Sequence, residues 1–181
     1  MVELSELTEL FPYMDVSPHE LNELAEIMDK IVCQAGNLVF RESEEGDCLY
    51  LIKKGEVKIS RLVGENKEKL ILILGRGMYF GNFSMVNGGA LRFTAEALED
   101  SEVLTFRKQE LDMLAQKNSA FGVKIMSEVL FSLFNIYREV DAKFINMMQS
   151  VMLGQILDNG AQDKSVKTST VLKRRGDHHA N

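Results

Sequence analysis

The chain is short of histidine, cysteine and proline, and it carries fewer basic than acidic residues. It has three histidines: His19, which falls in a helical surface stretch, and His178 and His179 near the C-terminus. None lies in the β-branched middle of the sequence. A metal-dependent catalyst built into a β-barrel needs clustered histidine and carboxylate ligands. No such cluster and no Ser-His or Cys-His pair is visible, so no metal site, catalytic residue or enzymatic activity is expected. The two cysteines, Cys33 and Cys48, have no CxxC spacing and no nearby histidine, which leaves them as small buried hydrophobes. With 21 basic against 27 acidic side chains the net charge is −6, a balance that repels nucleic acid and anionic membranes. No run approaches the roughly 20 continuous apolar residues of a membrane span. The first twelve residues contain glutamates and lack the apolar stretch of a signal peptide. The expected location is therefore the cytoplasm, away from membranes.

What is present falls into zones. Residues 1–28 read as short helices. Ser17, Pro18 and Glu20 form an N-cap signature with proline at the first helical position. Leu21, Leu24 and Met28 follow at helical spacing. Residues 29–107 change period. They hold short β-branched runs separated by Ala35-Gly36-Asn37, Glu45-Gly46-Asp47, Lys54-Gly55 and Gly64-Glu65-Asn66. Closely spaced strands with glycine turns predict an antiparallel sandwich or barrel. In the run from Gly55, Val57, Ile59 and Arg61 are expected on one face and Lys58, Ser60 and Leu62 on the other. Residues 108–158 return to helical spacing, as a short helix and then a long one from Ser119 to Asp158. Residues 159–181 are polar and are expected to form a flexible tail.

The long helix carries a heptad seam. Met126, Leu130, Leu133, Tyr137, Val140, Phe144, Met147 and Val151 are spaced alternately four and three apart. A second apolar line includes Ile125, Val129 and Ile136. A helix with two apolar faces needs two partners. One is its own barrel. The simplest second partner is the same helix of another copy, so a homodimer is expected.

This order resembles the cyclic-nucleotide-binding domain of the catabolite activator protein family over residues 8–157. The matching features are "SPHELNELAEIM" as a lead-in helix and the Gly36, Gly46, Asp47 and Gly55 turns. "FGNFSMV" corresponds to a phosphate-binding cassette, and "ALEDSEVL" to the strands after it. The resemblance implies an α+β fold: an antiparallel jelly-roll sandwich with short N-terminal helices and a long C-terminal dimerisation helix. It places the cassette at residues 79–97 and implies a regulatory, ligand-sensing module with cyclic AMP or cyclic GMP as the candidate ligand. No required cofactor is implied, and a protein effector would read the long helix.

In that family a short helix opens at the glycine and aims its amides at the phosphate. A glutamate after the glycine takes the ribose, and an arginine at the next strand pairs with the phosphate. The candidate ligand-binding residues here are Phe80, Gly81, Asn82, Phe83, Ser84, Leu91, Arg92, Phe93 and Thr94. Asn82 stands at the glutamate position. Counting back from "ALEDSEVL" puts Leu91 at the arginine position, whereas counting forward from Phe80 allows Arg92. If Leu91, Phe93, Ala95 and Ala97 face the interior, Arg92 faces out unless a bulge near Gly88-Gly89 turns it back. The cassette is thus expected to be degenerate. The alternatives are a dimeric scaffold with a vestigial pocket, or a cyclic-nucleotide binder that uses Arg92. Transcription factors of this family append a winged helix-turn-helix. Residues 159–181 are too few for one, so direct DNA binding is not expected.

Overall fold

A computed structural model describes residues 4–11, 14–64, 67–81 and 89–176, with the side chains of 4–6 and 154–176 left undescribed. The chain divides into two compact units, Met1–Phe134 and Asn135–Asn181.

The first unit opens with helices α1 (Leu4–Leu10) and α2 (Pro18–Glu26). The cap of α2 forms as its sequence requires. The Ser17 hydroxyl accepts the Glu20 N–H at 3.3 Å, and the Ser17 N–H donates to the Glu20 carboxylate at 2.8 Å. Leu21 and Leu24 are buried on its inner face. Met28, at helical spacing in the sequence, instead opens the first strand. Helix α2 ends at Glu26, because β-branched Ile31 and Val32 pair into a sheet.

Among the described residues eight strands follow: β1 (Met28–Cys33), β2 (Leu38–Phe40), β3 (Cys48–Lys54), β4 (Val57–Val63), β5 (Lys67–Leu74), β6 (Tyr79–Phe80), β7 (Thr94–Ala97) and β8 (Ser101–Arg107). They form two four-stranded sheets ordered β1-β8-β3-β6 and β2-β7-β4-β5, and neighbouring strands in both run antiparallel. Gly55 makes the β3–β4 turn at φ +89°, and a Cβ there would collide with Ser101. This is the antiparallel sandwich expected from the sequence.

Strand β3 shows how the layers divide. Leu49 and Leu51 join the helix-side core with Leu104 and Phe106 of β8 and with Leu7, Leu24, Leu111, Phe121, Ile125 and Val129. Tyr50 and Ile52, on the alternate face, are also buried. Tyr50 meets Phe40 of the second sheet with ring centroids 5.0 Å apart. Each fully buried leucine or phenylalanine contributes about 1.5–3 kcal/mol, so a central strand buried on both faces anchors the sandwich.

Strand β4 departs from simple alternation. Val57 and Ile59 are buried as expected, but a register shift between Ile59 and Ser60 buries Ser60 as well, while Arg61 and Leu62 are both exposed. The extra residue of this bulge is Ile71 of β5, and no short sequence pattern announces it. Cys33 is buried and Cys48 half-buried, both are free, and burial raises both thiol pKa values, that of Cys48 to about 11.

Helix α3 (Lys108–Lys117) leads into α4 (Ser119–Gly176). Phe121, Ile125 and Val129 bury one face of α4 in the first unit. Gly122 permits close approach, since a Cβ there would lie 2.6 Å from the Ala115 Cβ. The sequence reading ends this helix at Asp158, but helical backbone continues through Gly176. No proline interrupts that stretch, and alanine, lysine, arginine and leucine favour helix there. Residues 177–181 lie outside the described residues. Among the described residues, Ser119–Leu153 is long and apolar enough to cross a membrane by length and composition alone. The first part of that segment is built into the helix-side core of the sandwich.

Candidate ligand-binding site

Strand β6 carries the start of the cassette. It is an edge strand, pairing with β3 through Tyr50↔Phe80 and Leu51↔Tyr79. Phe80 is 4% exposed and stacks on Tyr50 at 5.0 Å, with Phe40 5.7 Å from it. These three rings bridge the two sheets beside the cassette. Burial, and then the Cys48, Asp47 and Glu44 charges, push the Tyr50 phenol up to about 12. Gly81 has φ +78°, and a Cβ on it would lie 2.6 Å from the Tyr50 ring and 2.9 Å from the Cys48 carbonyl. Glycine is therefore needed here for both conformation and space. Asn82, Phe83 and Ser84 lie outside the described residues.

The far side of the cassette is held by a backbone exchange with residues 43–46. Gly46 N–H donates to the Gly89 carbonyl at 3.3 Å, and Ala90 bridges Glu45. Ser43 N–H donates to the Leu91 carbonyl at 2.8 Å, and Leu91 N–H donates to the Glu44 carbonyl at 2.7 Å. Leu91 is fixed on both its backbone groups and is 5% exposed. Residues 92–93 form a bend before β7. Arg92 is exposed, and Phe93 is half-buried. Thr94 is half-buried, and its hydroxyl accepts the Glu42 N–H at 3.0 Å. Ala95 and Ala97 are fully buried. Glu96 lies on the opposite face with Lys58, at 2.6 Å, and Lys58 also reaches Glu68 at 3.1 Å. Hydrogen bonds to these two carboxylates raise the Lys58 pKa.

The structure thus brings Phe80 and Gly81 to one side of the cassette, with Leu91, Phe93 and Thr94 on the other, and leaves Arg92 in solvent. Glu42 and Glu44 are held by hydrogen bonds. Glu42 accepts from Leu62 N–H and Arg61, and Glu44 accepts from Arg41 N–H. Among the described residues no group of histidine, cysteine, aspartate or glutamate could hold a metal ion.

Sequence reasoning missed two groups of contributors. Phe40 and Tyr50 complete the aromatic cluster, and the only signal for them was an aromatic in each of two buried runs. Ser132 of α4 accepts the Tyr79 N–H at 3.2 Å, beside Glu128, which is 3% exposed. Its signal was a polar pair four residues apart on the apolar face marked by Ile125 and Val129.

Comparison with known proteins agrees with this geometry. The family model for the cyclic nucleotide-binding domain matches residues 30–118. A CRP-like cAMP-activated global transcriptional regulator from Mycobacterium tuberculosis is 28% identical over 99 residues, 55% of this chain and 44% of the relative. A cyclic AMP receptor protein from Thermus thermophilus is 28% identical over 100 residues, 55% of this chain and 46% of the relative. The chain spans less than half the length of either. Among solved structures, a cyclic nucleotide-binding domain from Methylobacillus flagellatus superposes with a TM-score of 0.73 at 22% identity, covering 78% of this chain and 82% of that one. Catabolite activator protein from Thermus thermophilus superposes at 0.59 and 23% identity, covering 74% and 62%. Residues 30–118, which carry the two four-stranded antiparallel sheets and Gly81, are thus similar in sequence and fold to the cyclic nucleotide-binding domain family.

Proposed function

We propose that the chain is a non-catalytic regulatory module whose cassette is degenerate and whose output is carried by α4 in a homodimer. The observation that carries the reading is the state of Leu91 and Arg92. An apolar side chain is buried where one alignment puts the phosphate-binding arginine, and both its backbone groups are committed. The neighbouring guanidinium is exposed, and among the described residues it has no ion pair. A phosphodiester in such a cradle would rely on backbone amides and neutral side chains. Losing one charge-assisted hydrogen bond costs about 1.5–3 kcal/mol, which is roughly ten- to a hundredfold in affinity or somewhat more. The proposed consequence is that cyclic AMP and cyclic GMP are weak ligands at best, and that the pocket serves another small molecule or none.

Support for the dimer comes from exposure. Met126, Leu130, Tyr137, Val140, Phe144, Met147 and Val151 are each 42–65% exposed, and Leu133 is partly buried. A single soluble chain rarely leaves so many large apolar side chains in water, and their heptad spacing fits an identical helix. A protein effector reading the paired helices, and a cytoplasmic setting without direct DNA contact, complete the reading.

Titration calorimetry with cyclic AMP and cyclic GMP tests the cassette. The expected result is no saturable heat in the micromolar range. Tight saturable binding that is lost in Arg92→Ala would sink the degenerate-cassette reading and assign Arg92 to the phosphate.

A further inference from the structure

Strand β6 is two residues long and, among the described residues, has no neighbour on its outer edge. The Ile52 N–H donates to the Met78 carbonyl at 3.1 Å. The next residue, Tyr79, turns its own N–H away from β3, as alternation in an antiparallel pair requires. That N–H is buried and must find an acceptor. It finds the Ser132 hydroxyl of α4 at 3.2 Å. Tyr79 is 2% and Ser132 6% exposed.

One helical turn before Ser132, Glu128 lies 3% exposed. With Tyr79 it lines a cavity of about 10 Å³ whose other walls are apolar, among them Phe11, Leu24 and Phe106. Burial and the Glu128 charge raise the Tyr79 phenol well above its usual pKa, so that hydroxyl keeps its proton. A carboxyl and a hydroxyl on a face otherwise formed by Phe121, Ile125 and Val129 are costly to bury. Apolar residues would pack that face more favourably. Their position against β6 gives them a use that packing does not.

We propose that Glu128 and Ser132 form a polar latch tying α4 to β6, and through β6 to the opening of the cassette at Gly81. A side chain of α4 stands where a neighbouring strand would be. Gly81 is wedged against Tyr50 and follows β6 directly. Any displacement of the cassette opening pulls on Tyr79, and it either carries α4 along or breaks the Ser132 bond. Glu128 and Ser132 are positioning residues and touch no ligand. The use of the latch in signalling rests on the regulatory reading above, but its existence does not.

Hydrogen exchange measured by mass spectrometry on the full chain, without ligand, tests it. In Ser132→Ala, the peptide carrying Tyr79–Gly81 should exchange about fivefold faster, the factor for one net hydrogen bond. Peptides from β3 and β8 should keep their protection. Ser132→Thr, which retains a hydroxyl, should restore slow exchange. Glu128→Gln supplies a second variant should Ser132→Ala fold poorly, with faster exchange expected in the same peptide. Unchanged exchange at Tyr79–Gly81 in both variants overturns the latch. So does an even loss of protection across β3 and β8, which would mean a purely structural role. Because no ligand is added, failure of the calorimetric test leaves this result intact, and the reverse also holds.

Discussion

Gly81 gives the sharpest test of the cassette's geometry. Gly81→Ala adds one methyl at φ +78°. The left-handed conformation costs a non-glycine residue about 1–2 kcal/mol. The added Cβ would also lie 2.6 Å from the Tyr50 ring and 2.9 Å from the Cys48 carbonyl. Neither neighbour can retreat: Tyr50 is 9% exposed and stacked on Phe80, and the carbonyl belongs to a central strand. Overpacking of this kind costs about 1–3 kcal/mol more, for a total of roughly 2–5 kcal/mol. At about 2–4 °C per kcal/mol for a chain of this size, the melting temperature should fall by roughly 4–20 °C. Gly36→Ala is the matched control. Gly36 has φ +83°, but nothing lies within 4 Å of a Cβ there, and its N–H bond to the Ala97 carbonyl survives the change. It should lose only the conformational part, roughly 2–8 °C. Differential scanning fluorimetry of the two variants side by side isolates the packing contribution. Equal losses would refute the close approach of Gly81 to Tyr50 and with it the account of why this position is glycine.

Three further outcomes are expected. Leu91→Arg should raise affinity for cyclic AMP roughly tenfold or more over the wild-type chain by calorimetry, and should lower apo stability by leaving a guanidinium in a buried position; a folded variant with no gain would mean that Leu91 does not face the ligand. Met147→Glu puts a charge in the heptad seam and should weaken the dimer at least tenfold by analytical ultracentrifugation with little change in monomer stability, since Met147 is 56% exposed in the single chain; an unchanged mass would remove α4 from the interface. The Glu20 carboxyl is held below its usual 4.5, first by the Ser17 N–H and then by Lys124. Its stabilisation is present above 4.5 and is lost as pH falls through the depressed folded-state value, so the melting-temperature gap between wild type and Glu20→Gln should be open near neutral pH and close in acid.

The readable parts of the sequence were those governed by local chemistry. Ser17 and Glu20 are three residues apart and satisfy each other, so the cap of α2 could be seen without the fold. The turns at Gly36 and Gly55 were equally local. Ser60 was not readable, because a bulge depends on how β4 meets β5. The environment of Leu91 could be stated only as a choice of parity. It is settled by hydrogen bonds to Ser43 and Glu44, nearly fifty residues earlier in the chain. Strand period alone could not fix it, because residues 92–93 bend before β7 begins.

The same distinction explains why α4 reads so clearly as a helix and so poorly as a device. Its heptad is a repeated signal, and each apolar residue reinforces the next. Glu128 and Ser132 are single departures on the opposite, inward face, and one polar residue on an apolar stripe is ordinarily tolerated noise. They gain meaning only when an edge strand two residues long is found with an N–H that donates to Ser132, beside Glu128. A residue that couples two parts of a fold belongs to neither part's pattern. Its position is set by the distance between elements, which periodicity within either element does not encode. The positions most worth mutating in this chain are therefore those where a sequence rule is broken and the structure supplies a partner: Leu91 in the cassette, Gly81 against Tyr50, and Ser132 against Tyr79.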